Sequence, residues 1–429
     1  MRNATRFRAA AAMAAGSLLL LSLSPLRSSA QTKPGEQDQP QGLMRWFDPS
    51  TAPFIPVPEI DVDPNSGTTL GLIPTWVTTD DQSQVRRIVA PDIIHSPNFG
   101  YGARGRIFAY PSEDTQWSMV GGAKQHVEKE FDFEYEAGRL RDKPFSLETS
   151  VIYDRNGTAR FYGIGNRTRK RDQTNFTWQQ KYLQTSLGWN FNRLLQLSYT
   201  IRARAVDVLP GALTDVPSIE TRFSRIDGSG TRHETLNRLA LILDTRDDTT
   251  VPTHGGKYVL YGGVAAANGV FGDSLYSVAG LDARQLWRLN PTGILVGHLA
   301  LRYMPDKRPT PFWCLSSLGG DDSIVGDAQP LRGYGSGRFY DRDSVSSSVE
   351  YRWHVMGINA MGTFINLEVT PFVDAGEVFA HSGGLPVNHL HKVTGIGFRG
   401  IANPFVVGYV DLGYGNEGVA AFTGINYPF

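Results

Sequence analysis

The sequence predicts an all-β protein, a transmembrane antiparallel β-barrel of sixteen strands with one loop folded into its lumen. Three observations predict this class: an N-terminal export signal, no later apolar run as long as a membrane helix, and repeated stretches of about ten residues in which apolar and polar residues alternate. A tilted strand needs about 9–11 residues to cross a bilayer, whereas soluble strands average about 5–6. The strand length therefore favours a membrane barrel over a secreted soluble β-protein.

The first 30 residues have the order of a secretory signal peptide. Arg2, Arg6 and Arg8 form a basic region, residues 9–21 form an apolar core, and residues 28–30 are small enough for a cleavage site. The apolar core is too short to cross a bilayer as a helix, which takes about 20 residues. We therefore expect export of the chain and cleavage after Ala30.

Composition excludes several classes of protein. The chain has 42 basic and 42 acidic residues, so it lacks the excess of basic residues that a nucleic-acid partner would require. Its only cysteine is Cys314, which excludes a disulfide framework and a cysteine-rich metal site. We expect no cofactor and no bound metal.

Strict alternation identifies the strands. In residues 195–205, for example, Leu195, Leu197 and Tyr199 share one face and Gln196 and Ser198 share the other. In a membrane barrel the apolar face contacts lipid and the polar face lines the lumen. The predicted strands are 67–77, 84–95, 99–110, 115–125, 129–139, 145–154, 177–191, 194–207, 234–245, 256–267, 274–288, 293–304, 344–355, 363–374, 391–400, 405–414 and 418–427.

The predicted strands number seventeen. Single-chain bacterial barrels have an even number, so we expect one segment to be false and the barrel to have sixteen strands. The barrel would occupy residues 67–429 and would close between 67–77 and 418–427. Residues 31–66 contain seven prolines and are predicted to be a periplasmic lead. The longest stretches between strands, 155–176, 208–233, 305–343 and 376–390, are predicted outer-face loops.

One of these loops carries an unusual motif, Leu331-Arg332-Gly333-Tyr334-Gly335. Glycines permit a sharp return of the backbone and close approach to a wall. On the later predicted strand, Phe372, Asp374 and Gly376 share one face because side chains alternate along a strand. An arginine on an inserted loop and an aspartate on the inner wall would form a charge-assisted pair.

The motifs resemble those of the outer-membrane assembly-factor superfamily, the BamA/TamA type, also called bacterial surface antigens. The segment from Leu331 to Tyr334 resembles the signature loop of that family, and Phe372-x-Asp374-x-Gly376 resembles the wall strand that meets it. Three further segments resemble the family's strand–turn–strand element, an earlier loop motif and a C-terminal assembly signal. They are Asp244-Thr245-Arg246-Asp247 with Pro252 and Gly255, Phe161–Asn166, and Gly424, Tyr427 and Phe429.

The resemblance implies an outer-membrane barrel with the arginine loop inside the lumen, where Arg332 contacts Phe372 and Asp374. It implies insertion or translocation of proteins, with outer-membrane lipids, unfolded outer-membrane proteins or a periplasmic partner as binding partners. Only residues 31–66 lie between the signal peptide and the first predicted strand, so we expect a barrel without POTRA modules. The alternative function is a passive pore or structural barrel.

Other motifs point to chemistry less strongly. Residues 272–275 spell Gly-Asp-Ser-Leu, the nucleophile block of a lipolytic hydrolase family, which would make Ser274 the nucleophile of an outer-membrane lipid hydrolase. That family needs an Asp-x-x-His near the C-terminus, whereas the match here, Asp92 to His95, precedes the serine. His389 and His391 lack an evident third metal ligand. We therefore do not expect an enzyme.

Overall fold

The computed structural model describes residues 55–80, 85–269, 272–305, 308–360, 363–380, 389–402, 406–425 and 427–428. The predicted signal peptide, most of the predicted lead and Phe429 lie outside these residues. Within them, no helix is long and apolar enough to cross a membrane.

The wall is one antiparallel sheet in which neighbouring strands mostly follow one another along the chain. Its first part consists of β1 (Ile55–Asp63), β2 (Gly67–Thr79), β3 (Val85–Val89), β4 (Asp92–Ser96), β5 (Gly100–Ser112), β6 (Thr115–Lys124), β7 (Lys129–Ala137), β8 (Phe145–Phe161), β9 (Thr174–Asn190), β10 (Leu195–Pro210), β11 (Gly230–Asp244), β12 (Gly255–Gly269), β13 (Gly272–Asn290) and β14 (Gly293–Tyr303).

A long connection interrupts the wall after β14. It contains three short strands that form a separate sheet, β15 (Ser316–Leu318), β16 (Ala328–Gln329) and β17 (Phe339–Asp341). The wall then continues with β18 (Asp343–Ala360), β19 (Thr363–Phe379), β20 (His391–Ala402), β21 (Val406–Gly415) and β22 (Gly418–Ile425). The one short α-helix, α1 (Ile219–Arg222), lies between β10 and β11 in the part of the chain that the structure describes.

The all-β prediction is confirmed, but sixteen strands are too few for the residues described. Strands β3 and β4 both pair with β2 and with β5, so they occupy one position, and the nineteen strands of the wall fill eighteen positions. All seventeen predicted segments are present, and none is false. The one wall strand that was not predicted is β1, which lies inside the predicted lead. Its Pro56 and Pro58 are typical of a linker and occur in strands mainly at the edge of a sheet.

The first edge of the wall is therefore β1 rather than 67–77. It lies beside β22, where the Val62 amide donates to Thr423 Oγ1 (2.8 Å) and the Thr423 hydroxyl donates to Asp61 Oδ1 (3.4 Å). Among the described residues no backbone ladder joins these two strands. We call this junction the seam.

The outer surface of the wall is apolar and the inner surface is polar. On β10, Tyr199 and Ile201 are 43% and 45% exposed, whereas Ser198 and Thr200 are 5% and 2% exposed. A soluble sandwich would have the opposite arrangement, with its apolar face covered. This distribution is typical of a barrel whose outer face contacts lipid.

The interior is filled by the connection after β14, which we call the lumen loop (residues 308–342). Its Phe312, Trp313, Cys314 and Leu315 are buried against inner residues of the wall. This cluster includes Phe161, Phe176, Val206, Val208, Leu236, Val259, Tyr261, Tyr276 and Val278. The loop thereby packs against β8–β13 with its first half and carries its glycine-rich motif towards β18–β21.

Candidate functional site: the lumen loop and its charged wall

Arg332 lies at the centre of the candidate site and is fully buried. Its Nε and Nη2 donate to Asp374 Oδ2 (2.9 Å) and Oδ1 (2.8 Å), and its backbone amide also donates to Asp374 Oδ2 (3.1 Å). The structure thus brings together the arginine and the aspartate that the sequence singled out. The pairing is bidentate, the strongest geometry that an arginine and a carboxylate can adopt.

Two more carboxylates and a hydroxyl complete the surroundings of Arg332. Nη1 donates to Glu350 Oε2 (3.1 Å) and Asp411 Oδ2 (3.0 Å), and Nη2 donates to Ser348 Oγ (2.9 Å). A guanidinium has five N–H donors. These three contacts, together with the two contacts to Asp374, give each of the five donors an acceptor. The charge is therefore buried without an unmet donor, the condition under which burying it is tolerable.

The three carboxylates carry more negative charge than the single positive charge of Arg332 can balance. Two arginines of the wall, Arg352 and Arg399, supply the remaining positive charge. Arg352 Nε donates to Glu350 Oε1 (2.7 Å), and Arg399 binds Asp411 through both Nη atoms. Three cations thus face three anions. We call these six residues the charged network (Arg332, Glu350, Arg352, Asp374, Arg399 and Asp411).

Aromatic rings stack on the arginines of the charged network. The guanidinium carbon of Arg332 lies 3.6 Å from the ring centre of Phe372, and that of Arg352 lies 3.4 Å from the ring centre of Tyr427. A cation over a ring face is attracted by the ring quadrupole, more strongly when water is excluded. Phe372 therefore fixes the plane in which Arg332 can reach its acceptors.

Four consecutive strands supply the wall of the network because alternate residues point inward. Ser348 and Glu350 lie on β18, Asp374 on β19, and Arg399 and Asp411 on β20 and β21. Ser348 lies directly opposite Asp374 in the ladder, and its hydroxyl donates to Asp374 Oδ1 (2.6 Å). A shift of one residue in any of these strands would turn its charged side chain towards lipid.

Glycines allow the lumen loop to approach this wall. A Cβ at Gly413 would overlap the Arg332 carbonyl, and one at Gly333 would lie 2.7 Å from Val393 Cγ2. A Cβ at Gly376 would lie 3.1 Å from Leu318 Cδ1, so this predicted residue leaves space for the loop. Leu331 and Tyr334 are buried in the same apolar cluster, with Leu318, Phe339, Phe372, Val378 and Val393.

A second buried arginine of the loop, Arg338, has a role that the sequence did not reveal. Its Nε donates to Glu417 (2.9 Å), its Nη1 to the Thr168 hydroxyl (2.8 Å) and its Nη2 to the Thr168 carbonyl (2.9 Å). Its guanidinium carbon lies 4.2 Å from the ring centre of Tyr162. Arg338 therefore joins the lumen loop to the connection after β8 and to the turn after β21.

The earlier loop motif, 161–166, crosses the mouth of the barrel. The side-chain oxygen of Asn166 accepts a hydrogen bond from the Val378 amide (3.2 Å). The backbone carbonyl of Asn166 lies 2.9 Å from His391 Nε2, within hydrogen-bond distance. The His391 ring stacks on Phe339 with ring centres 3.9 Å apart. His391 is thus a packing residue, and the described residues contain no cluster of three potential metal ligands.

The predicted turn motif lies at the opposite end of the barrel. Arg246 chelates Asp244 (2.9 and 2.7 Å), and Asp247 Oδ1 accepts from the backbone amides of Thr253 (2.9 Å) and His254 (3.1 Å). Partial burial opposes ionisation, but hydrogen bonds from the Thr253 hydroxyl (2.6 Å) and from these two amides hold the pKa of Asp247 below its usual range. Gly255 has a positive φ of 87°, and Pro252 is buried. The motif therefore builds a tight turn, without contact with the charged network.

The residues of the predicted C-terminal signal do not all lie on the outer face of the wall. Gly424 lies opposite Tyr409 in the ladder. Tyr427 is buried inside the barrel, where its hydroxyl donates to Glu368 (3.1 Å) and its ring covers Arg352. Phe429 lies outside the described residues. Tyr427 thus contributes to the interior in the folded protein.

The lipid-hydrolase alternative finds no support in the geometry of its serine. Ser274 is 2% exposed on the inner wall, and its hydroxyl lies 3.3 Å from the Thr310 hydroxyl of the lumen loop. A lipid hydrolase would need this serine beside a histidine at the lipid boundary.

Comparison with known proteins places these features in a family. The Omp85 superfamily domain matches residues 117–398. BamA from Haemophilus ducreyi lacking POTRA domains 1–3 is 13% identical, with a TM-score of 0.50 over 82% of this chain and 74% of that chain. This similarity shows the fold alone.

Two further solved structures resemble the chain less closely. CdiB from Acinetobacter baumannii is 12% identical, with a TM-score of 0.42 over 86% of this chain and 58% of that chain. A bacterial polysaccharide outer membrane secretin is 10% identical, with a TM-score of 0.40 over 86% of this chain and 95% of that chain. No curated protein sequence matches.

We expect strong coupling between Arg332 and Asp374. Either Arg332→Ala or Asp374→Ala leaves buried charges without their partner and should cost about 3–5 kcal/mol of unfolding free energy. The double variant should cost clearly less than the sum, because the same interaction cannot be lost twice. Urea unfolding in lipid vesicles measures all four proteins. Arg338→Ala combined with Asp374→Ala is the control and should be additive; additivity of the first pair would exclude the coupling.

We also expect Gly413→Ala to loosen the lumen loop, because the added Cβ overlaps the Arg332 carbonyl. Cys314 reports the change: burial and the nearby Glu234 raise the pKa of its thiol, so it should react slowly with maleimide while the loop is docked. The variant should react faster. Gly262→Ala is the control, since its Cβ meets no atom within 4 Å. Equal labelling rates in the two variants would contradict this role of Gly413.

Proposed function

Because the chain belongs to the Omp85 superfamily, we propose that this outer-membrane β-barrel inserts or translocates proteins at the outer membrane. The observation that carries the proposal is the contrast between the two sides of the wall. The charged network fastens the lumen loop to β18–β21, whereas β1 meets β22 through the hydrogen bonds of the Thr423 side chain, without a backbone ladder among the described residues.

This contrast has a mechanical consequence. Each missing backbone hydrogen bond in a membrane is costly unless another partner is supplied, so an unpaired seam invites a new strand or a local opening. The strands on the β22 side of the seam keep their register because Arg332 holds β18, β19 and β21, and Arg399 of β20 binds Asp411 of β21. The barrel can therefore open at the seam without losing the packing of its interior.

The proposal extends to location and partners. We place a cleaved signal peptide at residues 1–30 and a periplasmic lead from residue 31 to the start of β1 at Ile55, which shortens the predicted 31–66 lead. The barrel follows, in the outer membrane of a Gram-negative-type bacterium. Its partners would be outer-membrane lipids and either unfolded outer-membrane proteins or a periplasmic partner protein.

A second function, that of a passive pore, is favoured by one observation. A cavity of about 530 Å³ remains beside the lumen loop, and polar and charged side chains of β1 and β5–β9 line it together with apolar ones. Water and ions would fill such a cavity, and a continuous path through it would conduct them.

Vesicle insertion tests the first function. The purified barrel is placed in lipid vesicles, an unfolded outer-membrane protein is added, and its folding is followed against empty vesicles. We expect faster folding with the barrel present and a smaller acceleration with Arg332→Ala. An unrelated barrel at the same protein-to-lipid ratio controls for lipid disorder. If both barrels accelerate folding equally, or neither does, the proposal fails.

Conductance in planar bilayers tests the second function. Removal of residues 318–341 should raise conductance strongly, because these residues occupy the lumen. A full-length barrel that already conducts at the level of the deletion variant would show that the loop does not plug the pore. Arg338→Ala is a milder variant that leaves the loop in the chain and should produce a smaller increase.

A further inference from the structure

Three neighbouring strands of the wall carry a basic residue near the same end of their outward face. They are Lys129 on β7, Arg155 on β8 and Lys181 on β9, and we call them the outer basic cluster. Further along the same faces, Phe131, Val151 and Leu183 are apolar and 40%, 39% and 51% exposed. Ile152 and Tyr182, which alternate with these residues, are buried on the inner face. Each strand therefore changes from apolar to basic on the side of the wall that contacts the membrane.

The cluster lies at the edge of the apolar band. On β9, Lys181 is eight residues from Trp189, an exposed ring near the opposite end of the strand. Eight residues of an antiparallel strand rise about 27 Å, and a tilt of about 40° leaves about 20 Å along the barrel axis. The apolar band of a membrane barrel is about 25 Å tall. Lys181 therefore lies where hydrocarbon gives way to headgroups, at the end of the wall that carries the long connections.

The strand register brings the three cations together. Lys129 lies opposite Arg155 in the β7–β8 ladder, and Lys181 lies opposite Tyr153, two residues before Arg155. Lys181 Nζ is 5.9 Å from the ring centre of Tyr153, so this side chain leans towards β8. Three positive charges thus lie within two strand spacings, about 10 Å. Like charges opposite each other in a ladder repel, and an anion bound between them would relieve that repulsion.

The carboxylates near the cluster are directed elsewhere. Glu130 and Asp154, next to the cations in the sequence, point to the inside, where the cavity of about 530 Å³ borders the same stretch of wall. On the outward face of β10, Asp207 accepts from Gln179 Nε2 (2.7 Å) and from the Thr231 hydroxyl. Among the residues that the structure describes, no carboxylate pairs with any of the three cations. The cluster therefore presents its positive charge to the membrane.

The charge and the position of the cluster indicate the class of ligand. A surface that is basic above and apolar below fits a lipid with an anionic headgroup. A phosphodiester lipid carries one negative charge, whereas a phosphate monoester carries about −1.5 to −2 at pH 7, so two monoesters match three cations. The planar fork of Arg155 suits a phosphate because it donates to two oxygens at once.

We propose that the outer basic cluster is a binding site for a bisphosphorylated glycolipid of the outer leaflet, the lipid A part of lipopolysaccharide. Its phosphates contact Lys129, Arg155 and Lys181. Its acyl chains lie along the apolar residues below, on the same faces of β7, β8 and β9. The proposal rests on the proposed outer-membrane location and not on the proposed insertion of proteins, so the two can fail separately.

Binding of lipid A to the purified full chain in detergent micelles tests the proposal. Native mass spectrometry counts the lipids bound as the lipid A concentration rises. EDTA is present, so that no divalent cation bridges phosphates to carboxylates. We expect one lipid A to bind at least about tenfold more tightly than lipid A without its two phosphates, and more tightly than phosphatidylglycerol. Raising NaCl from 0.15 M to about 1 M should weaken binding, because salt screens exposed charges.

Single variants measure each cation separately. Lys129→Gln, Arg155→Gln and Lys181→Gln should each weaken binding about fivefold, the usual contribution of one basic residue to an anionic membrane surface. The triple variant should lose the preference for the phosphorylated lipid. Heat-resistant migration of the barrel on gels identifies the variants that fold, and the single variants decide the result if the triple variant does not fold.

The matched control removes three positive charges from the turns at the opposite end of the same strands. It combines Arg139→Gln, Lys143→Gln and Arg193→Gln. Lipid A binding should be unchanged in this variant. An equal loss in the control and the cluster variants, unchanged binding in the cluster variants, or equal binding of lipid A with and without phosphates would each overturn the proposal.

The vesicle assay separates this site from the proposed function, because its vesicles are made of phospholipid without lipid A. Lipid A binding without acceleration of folding would retain the site and reject protein insertion. Acceleration of folding without lipid A binding would reject the site alone.

Discussion

The arrangement of the interior depends on one buried guanidinium. Removing the Arg332 charge from water is costly, and the structure offsets this by giving each of its five donors an acceptor. Those acceptors come from three different strands, so the cost is met only when all of them are in register. The arginine thus links the position of a loop to the alignment of the wall.

The same requirement explains the residues around it. Ser348 holds Asp374, Arg352 holds Glu350, and Arg399 holds Asp411, so each carboxylate that binds Arg332 is also held by a second residue. Where the backbone must come close, glycine is present, as at Gly413. The acceptors of Arg332 are therefore held as a set, and removing one of them disturbs the others.

Sequence reasoning found most of the wall because alternation is a local signal. Each of the seventeen predicted segments corresponds to a strand, and only β1 was missed, since its prolines are typical of a linker and are tolerated in a strand only at an edge. The inner position of Phe372 and Asp374 followed from the same alternation. Contact with Arg332 followed from the resemblance to a family.

Other parts of the site could not be predicted from one sequence. Alternation indicates that Glu350, Arg399 and Asp411 face the lumen, but not that their strands meet around one loop residue. Arg338 carries no local sign that its partners are Thr168 and Glu417, which are distant in the chain. Tyr427 lies beyond the last strand, where alternation does not predict which side of the wall a side chain faces.

The position of Tyr427 also constrains the order of assembly. The lumen loop and the last residues of the chain both lie inside the wall, and Tyr427 touches Arg352 and Glu368 of strands formed much earlier in the sequence. Because Tyr427 lies two residues after the end of β22, its contacts with Arg352 and Glu368 can form only as the last strand takes its place in the wall. Contacts between such distant residues make folding slow, and the unpaired edges stay vulnerable to aggregation until the final step.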